Sequence, residues 1–371
     1  MSRLDLTNRG STGNVYTSGS ISDPAEEVSV VARVTIIEVA RRAGVSVASA
    51  SRALNGQVAS AETVERVRAA AAELGYAANT AARSLKLGRT QQLAYAVADI
   101  GNPVYVEMMG AIEKVVAASG YRLVISKTGD AGQTIELVRS LGRGYVDGMV
   151  ISPLRVTDEL VAAIEAAPVP VVVIGRLPSG AEIDTVMADS QRGMELVVEH
   201  LAASGRHRLA FINGPSDTTP GQIRQAGFRQ AVADRPAITS IEAAAADFTI
   251  TAGYETAAEL LRAGGVDAVV AANDLIGIGA LHAADDLGIG VPDEVAITGM
   301  DDTELARVTR PGLTSVGLGA AERGRVAAEL LVARLADPDR PAHTVTVAPS
   351  LRIRGSSRLR QSDPVRETAA S

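Results

Sequence analysis

The sequence predicts two folded units of different class, a small all-helical module followed by a large α/β unit. Three observations lead there. At 371 residues the chain is longer than one ordinary core encloses. Hydrophobic residues make up 46% of it but aromatics only 3%, so Ala, Val, Leu and Ile fill the interior. That mixture suits buried parallel strands covered by helices. Finally, the pattern changes along the chain: three short capped helical stretches come first, and a repeating apolar strand, polar turn and amphipathic helix follow.

Residues 1–33 are rich in Ser, Gly, Thr and Asn without apolar periodicity, and read as a disordered extension. From Thr35 the signals sharpen. Thr35 with Glu38 forms a capping box, Ile36, Val39, Ala40 and Ala43 share a helical face, and Gly44 ends the helix. Ser46 caps a second helix that runs through Leu54 and closes at Asn55-Gly56. Ser60 caps a third, running to Gly75. A helix, a tight Gly-containing turn and a short second helix fit a helix-turn-helix, whose second helix would present Val47, Ala48, Ser49 and Arg52 to a DNA major groove. An ordinary helical hairpin fits the spacing as well.

The second unit begins near Gln91, with strands expected at 93–98, 122–126, 148–151, 171–174, 209–212, 268–271 and 295–298. A helix over 320–335 follows. In open α/β sheets ligands sit beyond the carboxyl ends of the strands, so the loops beginning at Asp99, Asn213, Asn273 and Asp301 should face a ligand.

Charge separates the units. Residues 34–90 hold eight cations against four carboxylates, or +4, so the rest of this −7 chain carries −11. A small basic module on an acidic body is expected when only the first touches phosphate, although a solvated helix face gives a local excess too. With no cysteine there are no disulfides, no thiolate-bound zinc and no thiol catalysis, and four scattered histidines show no metal-ligand spacing. No cofactor is expected. Neither a signal peptide nor a membrane-spanning run is apparent, so a soluble cytoplasmic protein is expected. GxSxG, Walker and HExxH motifs are all missing, which argues against an enzyme.

The runs TIIEVARRAGVSVASASRALNG, ASAETVERVRAAAAELGY and ANTAARSLKLGRT resemble the DNA-binding headpiece of the lactose-repressor (LacI/GalR) family. ADIGNPVYVEMMGAIEK, DGMVISP, PVVVIGR, IRQAGF, AANDLIGIGALHAADDLGIGVPDEVAITGMDD and RPGLTSV resemble its effector domain, which is similar to periplasmic sugar-binding proteins. The resemblance spans about residues 34–357. It implies a helix-turn-helix domain at 34–78, a hinge helix and linker at 79–90, and a periplasmic-binding-protein-like core of two doubly wound lobes at 91–357, joined by three crossovers. A disordered tail at 358–371 is expected beyond.

For function the resemblance implies a regulator, a repressor, that binds a palindromic double-stranded DNA operator as a homodimer under control of a small effector. Val47, Ala48 and Arg52 match its specificity positions, and Ser46, Asn55 and Ser60 match phosphate-positioning ones. Asn79 opens the hinge segment and Leu85 matches a leucine wedged into the minor groove. A nine-residue hinge is too short to be helical alone, so its folding can be controlled. Arg224, Phe248, Asn273 and Asp301 match ligand contacts, with Asp99, Asn102 and Tyr105 contributing from the other lobe. Forked donors, acceptors and one aromatic face suit a sugar or sugar derivative. Thr218 stands where purine-responsive members carry arginine, which disfavours a purine. The rivals are a periplasmic solute-binding protein, which would lack the basic headpiece, and a regulator answering to a protein partner.

Overall fold

The computed structural model describes residues 34–55, 58–76, 88–141 and 143–358. The expected extension, the expected tail beyond Arg358 and the hinge segment through residue 87, Asn79 and Leu85 included, lie outside the described residues. The chain divides into two compact units between residues 79 and 80.

The first unit holds α1 (Ile36–Ala43), α2 (Val47–Leu54) and α3 (Ala61–Glu73). Helix α1 opens with the Glu38 carboxylate accepting from the Thr35 amide at 2.7 Å and hydroxyl at 2.9 Å. It closes at Gly44, whose φ of 66° lies in the left-handed region that glycine enters without a Cβ clash. The Ser46 hydroxyl accepts from the Ser49 amide at 3.1 Å and so starts α2. Ser60 likewise accepts from Thr63 at 3.3 Å to start α3. Val39, Ala40, Ala43, Ala50, Ala53, Val67, Ala70 and Ala71 form the core, small enough to let three short helices meet closely.

The second unit carries two six-stranded sheets. One contains β1 (Gln92–Val97), β2 (Arg122–Lys127), β3 (Gly148–Ser152), β4 (Val171–Ile174), β5 (Thr185–Ala188) and β11 (Thr344–Val347) in the order β11-β5-β4-β3-β1-β2, all parallel. The other contains β6 (Arg208–Asn213), β7 (Thr239–Ala244), β8 (Ala268–Ala271), β9 (Ala296–Met300), β10 (Thr314–Gly317) and β12 (Ser350–Arg352) in the order β12-β10-β9-β8-β6-β7, with only β12 antiparallel.

Strand alternation builds the layers. In the first lobe Leu93, Tyr95 and Val97 pack with Met108 and Ile112 of α4 (Pro103–Ala118) and Leu331 of α12 (Ala320–Ala336). Ala94 and Ala96 pack with Val138 of α5 (Ala131–Leu141) and Leu160 of α6 (Asp158–Glu165). The second lobe adds α7 (Ser190–Ala203), α8 (Thr219–Ala233), α9 (Ile250–Ala263), α10 (Asp274–Asp286) and the short α11 (Glu304–Val308). There Phe211 of β6 stacks on Phe228 of α8 at 4.7 Å. The chain passes between lobes after Ala188, after Gly317 and after Val347, giving three crossovers. No helix among the described residues is long and apolar enough to cross a membrane.

Candidate effector cleft and DNA-facing helix

Helix α2 has two sides. Ala50 and Ala53 are buried in the core of the first unit, while Val47, Ala48, Arg52 and Asn55 are exposed and Ser49 is half-buried. Val47, an apolar side chain 43% exposed, stands at the start of this helix. Arg52 reaches back toward the Ser49 hydroxyl at 3.4 Å, so its guanidinium lies along the same exposed face. Asn55 donates to the Ser51 carbonyl at 2.7 Å and finishes the helix. Thus Ser46, Asn55 and Ser60, read from sequence as phosphate-positioning residues, are also the caps of these helices.

Between the two lobes lies a cavity of about 960 Å³, its open mouth included. All seven residues singled out for an effector line it: Asp99, Asn102 and Tyr105 from the first lobe, and Arg224, Phe248, Asn273 and Asp301 from the second. Strand ends explain the convergence, because Asp99 follows β1, Asn273 follows β8 and Asp301 follows β9. Asn213 does not line the cavity. Its amide is used on the Gly221 carbonyl at 3.1 Å and the Gly214 amide at 2.9 Å, which fixes the loop into α8 instead.

Two cavity residues double as helix caps. The Asn102 side-chain oxygen accepts from Val104 at 3.1 Å to start α4, and that of Asn273 accepts from Ile276 at 2.9 Å to start α10. Arg224 is buried. It donates to the Ala272 carbonyl at 2.7 Å and pairs with Asp301 at 3.3 Å. Burial pushes the Asp301 carboxyl upward and the Arg224 charge opposes the rise. Burial, with Asp301 nearby, pushes the Tyr105 phenol up to about 12, so it remains a neutral donor. Asp301 itself sits at φ 114°, a strained turn that aims its carboxylate inward. Among the described residues no group of three His, Cys, Asp or Glu side chains is placed to hold a metal ion.

Sequence reasoning missed several lining residues. Ser152 ends β3 in DGMVISP and Arg176 follows β4 in PVVVIGR, so extending the strand-end rule to those strands would have found both. Arg323, from α12, carried no such signal.

Residues 35–79 match the family described as bacterial regulatory proteins, lacI family, and residues 198–357 match the periplasmic binding protein-like domain. The ribose operon repressor of Escherichia coli K12 is 30% identical over 339 residues, covering 87% of this chain and 99% of that protein. Among solved structures, a lac repressor dimer bound to operator and the anti-inducer ONPF superposes with a TM-score of 0.79 at 26% identity, covering 88% of this chain and 99% of that one. A complex of the transcriptional regulator CelR with cellobiose gives 0.66 at 31% identity, covering 88% and 100%. With a capped helix-turn-helix unit, a two-lobed body crossed three times by the chain, and identity along nearly the whole of a repressor, this chain belongs to the lacI family of bacterial regulatory proteins.

Proposed function

We propose that the chain is a transcriptional repressor that binds a nearly palindromic DNA operator as a homodimer, under control of a sugar or sugar derivative bound between its lobes. The convergence of Asp99, Asn102, Tyr105, Arg224, Phe248, Asn273 and Asp301 on one cavity, from both lobes, is the observation that carries the reading. What the relatives do supports it: ribose operon repression, a cellobiose complex and an operator-bound dimer. The protein acts by binding rather than catalysis, in the cytoplasm with its DNA.

In this reading Arg52 reads a guanine bidentately, worth about 1–3 kcal/mol of discrimination, and Val47 and Ala48 offer apolar contact to a thymine methyl. Ser46, Asn55 and Ser60 set the helix against phosphates, the capping hydroxyls of Ser46 and Ser60 keeping a proton to donate, while Ser49 stands with Val47, Ala48 and Arg52 toward the groove. Asn79 and Leu85 act in the hinge, on the strength of the sequence resemblance. A ligand touching both lobes favours the closed arrangement and thereby shifts operator affinity.

The test is selection of bound duplexes from a random pool by the purified protein, followed by a metabolite screen for altered affinity. An inverted repeat with half-sites about one helical turn apart is expected. Arg52→Ala should relax preference at one position per half-site by roughly 10–100-fold. Failure of any symmetric sequence to be enriched overturns the proposal.

A further inference from the structure

We propose that the effector carries an anionic group, a carboxylate or a phosphate ester, and that Arg323 receives it. This rests on the effector reading above and adds the chemical class of the ligand.

Arg323 lies near the start of α12 and lines the cavity from the first lobe. Its Nε is sealed from solvent and has no hydrogen-bond partner, as is the case for Arg224 Nε and the Tyr95 hydroxyl. The neighbouring carboxylates are engaged elsewhere. Two residues along the same helix, Arg325 takes both Glu322 at 2.6 Å and Glu329 at 2.5 Å on the exposed side. Across the cleft, Asp301 pairs with Arg224. Asp274, behind Asp301, is occupied by Thr303 and Ser315. Asp99 and Asp247 are exposed.

The cavity is lined by Arg176, Arg224 and Arg323 and by Asp99, Asp247 and Asp301; of these Arg176, Asp99 and Asp247 are exposed, which leaves Asp301 as the buried carboxylate that Arg224 and Arg323 share from opposite lobes. A guanidinium cannot shed its proton to escape burial, so Arg224 and Arg323 go on sharing Asp301 until a further anion enters. Burial opposes the charge on Arg323, the Asp301 carboxylate supports it, and Arg224 again opposes it. A forked donor with free N–H groups matches the two oxygens of a carboxylate or phosphate. A neutral sugar would accept hydrogen bonds there but leave the charge unbalanced. Placement is rigid, because a Cβ on Gly324 would lie 2.5 Å from the Met108 carbonyl, so α12 runs hard against α4 beside Tyr105. Tyr105, kept neutral by burial, is a further donor on the same wall.

The experiment is titration calorimetry on the full-length protein with matched sets: a neutral aldose, its aldonate, its uronate and its terminal phosphate, with inorganic phosphate and acetate as simple anions. One acidic form should bind at least about 10-fold more tightly than its neutral parent, and whether aldonate, uronate or phosphate wins distinguishes the anion. Arg323→Met, which keeps the apolar stem, should abolish that preference, costing the acidic form far more affinity than the neutral sugar. Arg323→Lys should retain part of it. Without ligand, Arg323→Met should melt no lower than the parent protein, because it removes a half-buried guanidinium that shares its carboxylate with Arg224; a marked fall in melting temperature would show Arg323 to be structural. Preference for neutral sugars, equal binding of each pair, or no binding by any acid overturns this inference. If neutral sugars bind and shift operator affinity, the repressor reading survives that failure; if no operator is found, that reading fails by itself.

Discussion

At the scale of single residues, the most informative side chain outside the cavity wall is Asp274. It is 1% exposed, and its oxygens accept from the Thr303 amide at 2.7 Å and the Thr303 hydroxyl at 2.9 Å as well as from Ser315. Burial first, and then the Asp301 charge, push its carboxyl up to about 7. A carboxyl raised in the folded state contributes stability that is complete below its unfolded pKa, near 4, and is lost as pH rises toward 7. Thermal unfolding of Asp274→Asn beside the parent should therefore show the parent losing ground between pH 4.5 and 7.5, by on the order of a few kcal/mol. A constant difference across that range would refute the assignment. Asp274 and Arg323 share the reason they were illegible in the sequence. Each is buried or bared by the phase of a helix laid over a sheet, whereas Asp99, Asn273 and Asp301 follow apolar strands and could be read directly.

Between elements, close helix packing is the controlling contact. Because Gly324 brings α12 to the Met108 backbone, Gly324→Ala has to push two main chains apart and should lower stability by about 1–3 kcal/mol. Gly110, on the exposed side of α4, has nothing within 4 Å of an added Cβ. Gly110→Ala should therefore gain roughly 0.5–1 kcal/mol from helix propensity alone. Equal melting temperatures for the two variants would contradict the packing. The same contrast between buried and bare surfaces decides which strands were legible. The seven expected from apolar runs all form within two residues of their expected ends. The other five differ in kind: β7 (TSIEAA) is an exposed edge strand, and β11 (TVTV) alternates exposed with half-buried residues. Strand β10 buries Thr314 and Ser315 completely, β5 is four residues long and β12 three. Polar side chains inside a sheet and stubs at its edge carry no apolar run to detect.

At the scale of the whole effector unit, the lobes also touch directly at the side of the cleft. The Thr219 amide donates to the Leu154 carbonyl at 2.7 Å, and Arg155 grips Asp217 through two bonds of 2.7 and 3.1 Å. Being exposed, this pair adds little to global stability. It instead biases the lobes toward each other, so Asp217→Asn should leave the melting temperature almost unchanged while speeding effector dissociation several-fold in stopped-flow measurements. High salt should do the same to the parent protein, through screening. An unaltered dissociation rate would remove the latch from the account. The threefold passage of the chain has a further consequence, for biosynthesis. Neither lobe is a continuous stretch of polypeptide: the first cannot cover β3 and β4 until α12 has emerged, and each sheet receives its last strand only after residue 343. On the ribosome the headpiece is complete early, whereas both halves of the body wait, with apolar faces bare, for residues 320–352. A message truncated before residue 320 would yield a finished DNA-reading head on a body whose two sheets both lack their last strand.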